Sequence, residues 1–461
     1  MATFKEVVKK PVFIVAVVLG VALIVALSIV LVNVKSLKRR QQRQQHKQQQ
    51  HLASSPSSAL PFWGIKGTGR KVVMISVDGL RFDMLSTHLT PNLVAMGRNG
   101  SMLPLEPQFP SLTFPNHYTL VTGLLPAEHG IIGNRFMNWR TGKHFSVNEG
   151  TFKDPTWWKA DPIWTQADSA VCMWPGSEVP INGKRPGRWV PYHKELKGIA
   201  RMDTLLDWIE SDAKNKTSTS RLYMSYFSAL DEQSHGTGPD SKEAQDALQK
   251  IDSAIGHLWE GLKVRNITDV DVLIVSDHGI TTVPKANRIS MHRLLPGYSQ
   301  HLRFWECGAV THILPQKQDV PAVLSRLRRL AGQGAPFRVY TRDTLPPRWH
   351  LLTNHTRNTL PPIFVVAKAG HAIDCVDFHK RNSTMEQNDV KPRDIIGVHG
   401  YDFREEPDML AALIAVGPHV KKTSEQDSFS NLDVYNLATR LLQIQPAPNN
   451  GTMRLSDAIL I

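Results

Sequence analysis

Cysteine is scarce: Cys172, Cys307 and Cys375 are the only three in 461 residues. That excludes a disulfide-dense scaffold and a zinc site built on four cysteines. Excess charge is also scarce over most of the chain. Of the formal +13, residues 1–50 supply +8 through nine Lys/Arg and one Glu, which leaves +5 for the other 411 residues. So small a surplus gives no ground for a nucleic-acid-binding role. No internal repeat is visible. What is present is ordinary for a folded protein: 41% hydrophobic and 21% charged residues, which exclude a wholly disordered chain.

One long apolar run stands apart. From Pro11 to Val32 no residue is charged, and these 22 residues are mostly Val, Ile, Leu and Ala. At about 1.5 Å per residue such a helix covers a hydrocarbon core of about 30 Å. A cleaved signal peptide would have an apolar region of about 7–15 residues ending in a small-residue site. A transmembrane helix over 11–34 is therefore expected after a short tail, 1–10. Its orientation is contested by two signals. Lys35, Lys38, Arg39, Arg40, Arg43 and Lys47 outnumber Lys5, Lys9 and Lys10, which by the positive-inside rule puts the large domain in the cytoplasm. Six Asn-x-Ser/Thr sequons at Asn99, Asn215, Asn266, Asn354, Asn382 and Asn450 point instead to a glycosylated lumenal domain. Residues 35–70 read as a basic, Gln- and Ser-rich linker with too few apolar side chains to pack.

From 71 to 461 the pattern is globular. Short apolar runs at Val72–Val77, Leu222–Phe227, Val270–Val275, Ile363–Val366 and Leu410–Val416 predict buried parallel strands. Helical spacing appears at Met202–Ser211 and at Lys242–Leu262, the latter with Ala244, Leu248, Ile251, Ile255 and Leu258 on one face. Strand–helix alternation of this kind predicts one α/β domain: a mostly parallel sheet flanked by helices.

The residues that follow the strands carry the chemistry. Val72–Val77 ends in Asp78-Gly79, Leu222–Phe227 leads to Asp231 and His235, and Val270–Val275 ends in Asp277-His278. His399 lies in Gly397-Val-His399-Gly-Tyr-Asp402, ahead of the Leu410–Val416 run. Open α/β sheets bind ligands beyond the carboxyl ends of their strands. Asp and His at several such ends suit Zn²⁺, and two clusters suit two ions. Each signal alone has a bland reading, an Asp-Gly turn or a surface Asp-x-x-x-His. Phe109-Pro-Ser-Leu-Thr113-Phe114-Pro115 places Thr113 or Phe114 near a helix N-cap. Thr113 there is either a plain cap or a nucleophile beside free amides that attract phosphate.

Taken together, Ser76–Gly79, Phe109–His117, Thr122-Gly-Leu, His129–Asn134, Trp174–Ser177, Ser276–Gly279 and His399–Asp402 resemble the nucleotide pyrophosphatase/phosphodiesterases of the alkaline phosphatase superfamily. The resemblance runs over roughly residues 71–440 in the family's order, and the chain looks like a short form with anchor, linker and catalytic domain. It implies an alkaline-phosphatase-like core and two zinc ions. One would be held by Asp78, Thr113, Asp277 and His278, and the other by Asp231, His235 and His399. It also implies attack by Thr113 to give a covalent threonyl-nucleotide, with Asn134 and the Phe114 amide donating to a phosphate oxygen. Sulfatases of the superfamily need a Cys/Ser-x-Pro-x-Arg motif, which Leu112-Thr113-Phe114-Pro115-Asn116 lacks.

Phe114 and Tyr192 look like the family's aromatic pair that sandwiches a nucleobase, though Tyr192 also fits core packing. Where relatives place a lysine near the base, this chain has Phe152 with Lys153 beside it. The expected activity is hydrolysis of nucleoside triphosphates or dinucleotides to nucleoside monophosphates. A choline-phospholipid phosphodiesterase is the alternative within the class, and a metal-binding ectodomain without chemistry is the alternative outside it. All seven ligand positions and Asn134 are present, which weighs against the last. This chemistry favours a type II membrane protein with its domain outside the cell or in a secretory-pathway or vacuolar lumen. In that oxidising setting three cysteines allow one bridge and a spare. Cys307–Cys375 is expected because both flank the insertion before His399, with Cys172 buried.

Overall fold

The computed structural model describes residues 70–214, 221–298, 302–375, 395–423 and 427–461. The expected transmembrane helix, the linker up to residue 69, Asn215 and Asn382 lie outside the described residues.

The central sheet uses β1 (Lys71–Val77), β2 (Ser101–Glu106), β3 (Ser169–Cys172), β4 (Arg188–Val190), β5 (Leu222–Phe227), β6 (Val270–Val275), β7 (Ala411–Val416) and β8 (Phe429–Ser430). Their spatial order is β8-β2-β7-β6-β1-β5-β3-β4. From β6 through β4 all neighbours are parallel. The β-branched run of β1, Val-Val-Met-Ile-Ser-Val, is buried on both faces, as a central parallel strand requires. Val73, Ile75 and Val77 pack under one helical layer, and Val72 and Met74 under the other.

Five helices matter for the site: α1 (Pro91–Arg98), α2 (Thr113–Thr122), α3 (Gly198–Lys214), α4 (Ala229–Thr237) and α5 (Lys242–Val264). On α5 the stripe Ala244, Leu248, Ile251, Ile255 and Leu258 is buried, and Ser241 Oγ caps the start by accepting the Ala244 amide. Asp252 breaks the apolar face for a reason. Its carboxylate is buried and accepts the Asn92 and Leu93 amides and Asn92 Nδ2, so it neutralises the first turn of α1.

Two expectations are corrected. The Leu410–Val416 run forms β7, but it is antiparallel to both β2 and β6, so the sheet is mixed. Ile363–Val366 forms a strand, Ile363–Ala367, in a separate four-stranded antiparallel sheet with Arg303–Trp305, Val310–Leu314 and Phe337–Tyr340. An uninterrupted apolar run reports burial of both faces, and it carries no record of strand direction or partner. The expected bridge is present: Cys307 is bonded to Cys375, and Cys172 is free and buried.

Candidate active site

Parallel pairing of β6, β1 and β5 brings three strand ends side by side, with Val77 opposite Phe227 and Ser76 opposite Val275. Asp78 leaves β1, Asp277 and His278 leave β6, and α4 begins just past β5 with Asp231 and His235 one turn apart. Gly79 makes the turn after Asp78 at φ +71°, and a Cβ there would lie 3.2 Å from Asp231 Cβ. Only glycine combines that backbone with so close an approach. His399 follows the strand Ile395–Val398, which pairs with Thr281–Pro284 just beyond His278.

The three histidines share one arrangement. His235 Nδ1 lies 2.9 Å from Gly397 O, His278 Nδ1 2.9 Å from Gly279 O, and His399 Nδ1 2.9 Å from Ser111 O. Each Nδ1–H thus donates to a carbonyl, and in the neutral ring Nε2 keeps its lone pair for the cluster. His278 Nε2 is 3.1 Å from Asp277 Oδ2, 3.5 Å from Asp78 Oδ1 and 3.4 Å from Thr113 Oγ1. His235 Nε2 is 3.3 Å from Asp231 Oδ2 and 3.1 Å from His399 Nε2, and His399 Nε2 is 3.6 Å from Asp231 Oδ1. The His278 and His399 rings stack at 3.7 Å, which joins the two halves.

Cation-seeking electrostatics follow. Asp78 Oδ1, Asp231 Oδ1 and Asp277 Oδ2 are buried without a hydrogen-bond partner. Burial, with Asp277 and Asp231 alongside, pushes the Asp78 carboxyl well above its usual range. Against burial, His278 and His117 hold Asp277 well below that range, and His235 does the same for Asp231. His235, pulled down by burial but facing Asp231, rises to about 8, whereas burial and the nearby His278 push His399 down to about 3. Buried carboxylate oxygens with no proton donor are costly unless a cation meets them. Among the described residues, Asp78, Asp277 and His278 form one group able to hold a metal ion, and Asp231, His278 and His399 form another. His278 lies within reach of both groups.

Thr113 is the first residue of α2. Leu112 occupies the N-cap position and makes no side-chain cap, so the plain capping role is not the one Thr113 fills. Asn134 Oδ1 accepts the Phe114 amide at 2.9 Å. The Phe114 amide, expected as a second donor to phosphate, donates here to Asn134 Oδ1, and the Nδ2 group is the end of Asn134 free to donate outward. Phe114 packs edge-on against Phe145 and Phe152 and tilted to Trp158. Tyr192 is 40% exposed, its hydroxyl 3.0 Å from Ser228 Oγ and from Glu232 Oε1, beside the end of β5. A cavity of about 490 Å³ opens on the His235–His399 side, lined also by Asn134, Arg135 and Glu306, with neither Phe114 nor Tyr192 in its wall.

Three residues of the site were not singled out from sequence. His117 bonds Ser76 Oγ (2.8 Å) and the Thr113 carbonyl (2.9 Å) and sits 3.1 Å from Asp277 Oδ2. Its spacing of four from Thr113 on a helix was the available signal. Tyr226 donates to Asp78 Oδ2 at 2.5 Å from the next-to-last residue of β5, a strand buried throughout, where an apolar run hides its polar role. Glu306 accepts the Asn134 amide from 172 residues away, with no local signal at all.

Comparison with known proteins agrees with this geometry. Residues 72–402 match the family model described as type I phosphodiesterase/nucleotide pyrophosphatase. An uncharacterized pyrophosphatase/phosphodiesterase of Schizosaccharomyces pombe is 34% identical over 396 residues, covering 83% of this chain and 78% of that protein. A bis(5'-adenosyl)-triphosphatase of Bos taurus is 31% identical over 402 residues, 85% of this chain and 82% of that one. Ectonucleotide pyrophosphatase/phosphodiesterase family member 3 of Bos taurus is 33% identical, but the match, 83% of this chain, spans only 43% of it. Among solved structures, human ectonucleotide pyrophosphatase/phosphodiesterase 5 superposes with a TM-score of 0.74 at 28% identity, over 85% of this chain and all of that one. An inactive threonine-to-alanine form of the murine protein in complex with AMP gives 0.73 at the same identity and coverage. The alkaline-phosphatase-like α/β fold, the strand-end Asp/His cluster and these matches lead to one conclusion: the chain belongs to the type I phosphodiesterase/nucleotide pyrophosphatase family and is a hydrolase of that kind.

Proposed function

We propose that this enzyme hydrolyses nucleotide pyrophosphate and phosphodiester bonds with two zinc ions, releasing nucleoside monophosphates through a threonyl-nucleotide. The observation that carries the reading is the set of three imidazoles tied through Nδ1 to carbonyls, with Nε2 of His278 and His399 turned to carboxylate oxygens that lack a proton donor. Nitrogen and oxygen donors of this kind suit zinc. Asp78, Thr113, Asp277 and His278 would hold one ion, and Asp231, His235 and His399 the other. When bound, the pair supplies Lewis acidity that lowers the pKa of a hydroxyl or water and offsets charge on the oxygens of the reacting phosphate.

The chain's own groups do the rest. Thr113 Oγ1 loses its proton and attacks phosphorus; the P–O bond to the leaving group breaks as the threonyl ester forms, the leaving oxygen takes up a proton, and water then hydrolyses the ester to release the nucleoside monophosphate and restore the Thr113 hydroxyl. Asn134 donates through Nδ2 to a nonbridging oxygen, a contact worth on the order of 3 kcal/mol by analogy with oxyanion donors. Being neutral, it suits the single charge of a phosphodiester. Phe114 and Tyr192 offer ring faces to a base. Phe152, against Phe114, replaces polar contact to the base with more aromatic surface. The AMP bound to the murine relative is in line with a nucleotide substrate.

The test is product analysis on ATP, a dinucleotide and a choline phosphodiester side by side, with zinc content measured on the same preparation. AMP from the first two and little turnover of the third is the expected result. Faster turnover of the choline substrate would move the assignment to phospholipids. We place the domain on the lumenal or extracellular side of a membrane, anchored through residues 11–34. The expected site chemistry and the exposed asparagines of four sequons, Asn99, Asn266, Asn354 and Asn450, support that orientation.

A further inference from the structure

Glu306 belongs neither to the Asp/His cluster nor to the helix of Thr113, yet it is bonded to the machinery. It is buried, and it holds the left-handed backbone (φ +61°) that a non-glycine side chain rarely adopts. Such a conformation persists where the surroundings enforce it. Here they do. Cys307, the next residue, is bridged to Cys375, and Gly308 and Ile373 exchange both backbone hydrogen bonds, at 3.0 and 2.7 Å. From this stitched corner Glu306 Oε2 reaches across to accept the amides of Asn134 (2.7 Å) and Arg135 (2.9 Å). The Arg135 guanidinium in turn lies over the Trp305 ring, 5.6 Å from its centre. Asn134 passes the connection on, because its Oδ1 accepts the amide of Phe114, the residue after Thr113. Gly133 completes the fit: a Cβ there would stand 2.9 Å from Glu306 Oε2.

We propose that Glu306 is a positioning residue for phosphodiester hydrolysis, its carboxylate setting the 133–135 turn so that Asn134 presents Nδ2 beside Thr113. The proposal rests on the reading of Asn134 as the phosphate-oxygen donor. It gives the Cys307–Cys375 bridge a role too, that of holding the corner from which Glu306 acts. A neutral amide at 306 can still accept both N–H bonds through one oxygen, so acceptor geometry rather than charge is what the turn requires.

The experiment is a double-mutant cycle on the full chain, with kcat and KM measured for Glu306→Ala, Asn134→Ala and the combination, beside Glu306→Gln and Gly133→Ala. We expect Glu306→Ala to lower kcat on the order of 10- to 100-fold with KM changed less than about threefold. Glu306→Gln should stay within about threefold of the wild type. In the Asn134→Ala background, Glu306→Ala should cost less than about threefold more, because the group it positions is already gone. An equal loss in both backgrounds would make Glu306 a general structural residue and overturn the proposal. So would an unimpaired Glu306→Ala beside an impaired Asn134→Ala, an outcome that leaves the donor reading standing. A harmless Asn134→Ala would remove the donor reading, and the proposal with it. If Glu306→Ala fails to fold, Gly133→Ala, whose methyl presses on the carboxylate, carries the same comparison.

Discussion

In the proposed mechanism, Thr113 is the residue on which the chemistry turns. It begins α2 without capping it, and its Oγ1 lies 3.4 Å from His278 Nε2, so replacing it would remove the proposed nucleophile and little packing. Thr113→Ala is expected to abolish turnover with an unchanged melting temperature. More than a tenth of wild-type activity in a zinc-loaded preparation would remove Thr113 from the mechanism. Glu306 gives a second residue-scale prediction, in stability rather than rate. Burial raises its carboxyl to about 7, against the opposing pull of the Asn134 and Arg135 amides, from the ordinary 4.5 of the unfolded chain. The folded state therefore holds this proton more tightly than the unfolded state does. Its contribution is fully favourable below about pH 4.5 and is lost as pH rises through about 7, by at most ~3 kcal/mol. Glu306→Gln has no such dependence. Melting curves should show the variant gaining on the wild type between pH 4.5 and 7 and the gap levelling above that. A gap that stays constant with pH would show that the carboxyl titrates normally.

At the scale of elements, the helical layer of α1, α3 and α5 holds the strands whose ends make the site, and one buried carboxylate ties two of its members. Asp252 on α5 accepts three N–H groups from the start of α1. Asp252→Ala leaves those donors buried or half-buried without a partner, which should cost about 2–4 kcal/mol of unfolding free energy. Because α1 supplies no site residue, kcat of the folded enzyme should stay near the wild-type value. Chemical denaturation with activity measured in parallel checks both halves. A loss below about 0.5 kcal/mol would mean that solvent reaches the freed amides.

At the scale of the whole molecule, the proposed metal ions would couple to the fold. Three buried carboxylates and three imidazoles meet at adjoining strand ends, and three of the carboxylate oxygens have no proton donor. Removing bound metal should therefore abolish activity and lower the melting temperature together, and Zn²⁺ should restore both. Full recovery of a rigorously zinc-free protein with Mg²⁺ alone would reject the zinc reading. Topology is testable on the same chain. After expression through the secretory pathway, an endoglycosidase should reduce its mass, and a chain with no such shift would favour the cytoplasmic orientation that the flanking lysines and arginines suggest.

How much of this was legible beforehand follows from what each signal depends on. Val72–Val77, Leu222–Phe227 and Val270–Val275 were readable as strands because burial on both faces leaves a continuous apolar run in the chain itself. The placing of Asp78, Asp231, His235, Asp277 and His278 at one edge was readable because each follows such a run or lies in the first turns of the helix after it. The Cys307–Cys375 bridge was readable because both cysteines flank the insertion before His399 and three cysteines leave few pairings. The direction of β7 was not, since a strand reads the same to either neighbour. Nor was the nearness of His278 to both groups, the Tyr226 hydroxyl on Asp78, or the bond from Glu306 to Asn134. Those depend on distances between segments far apart in the chain. Only the folded backbone sets them, through strand order, the glycine turn at 79 and the corner closed by the disulfide.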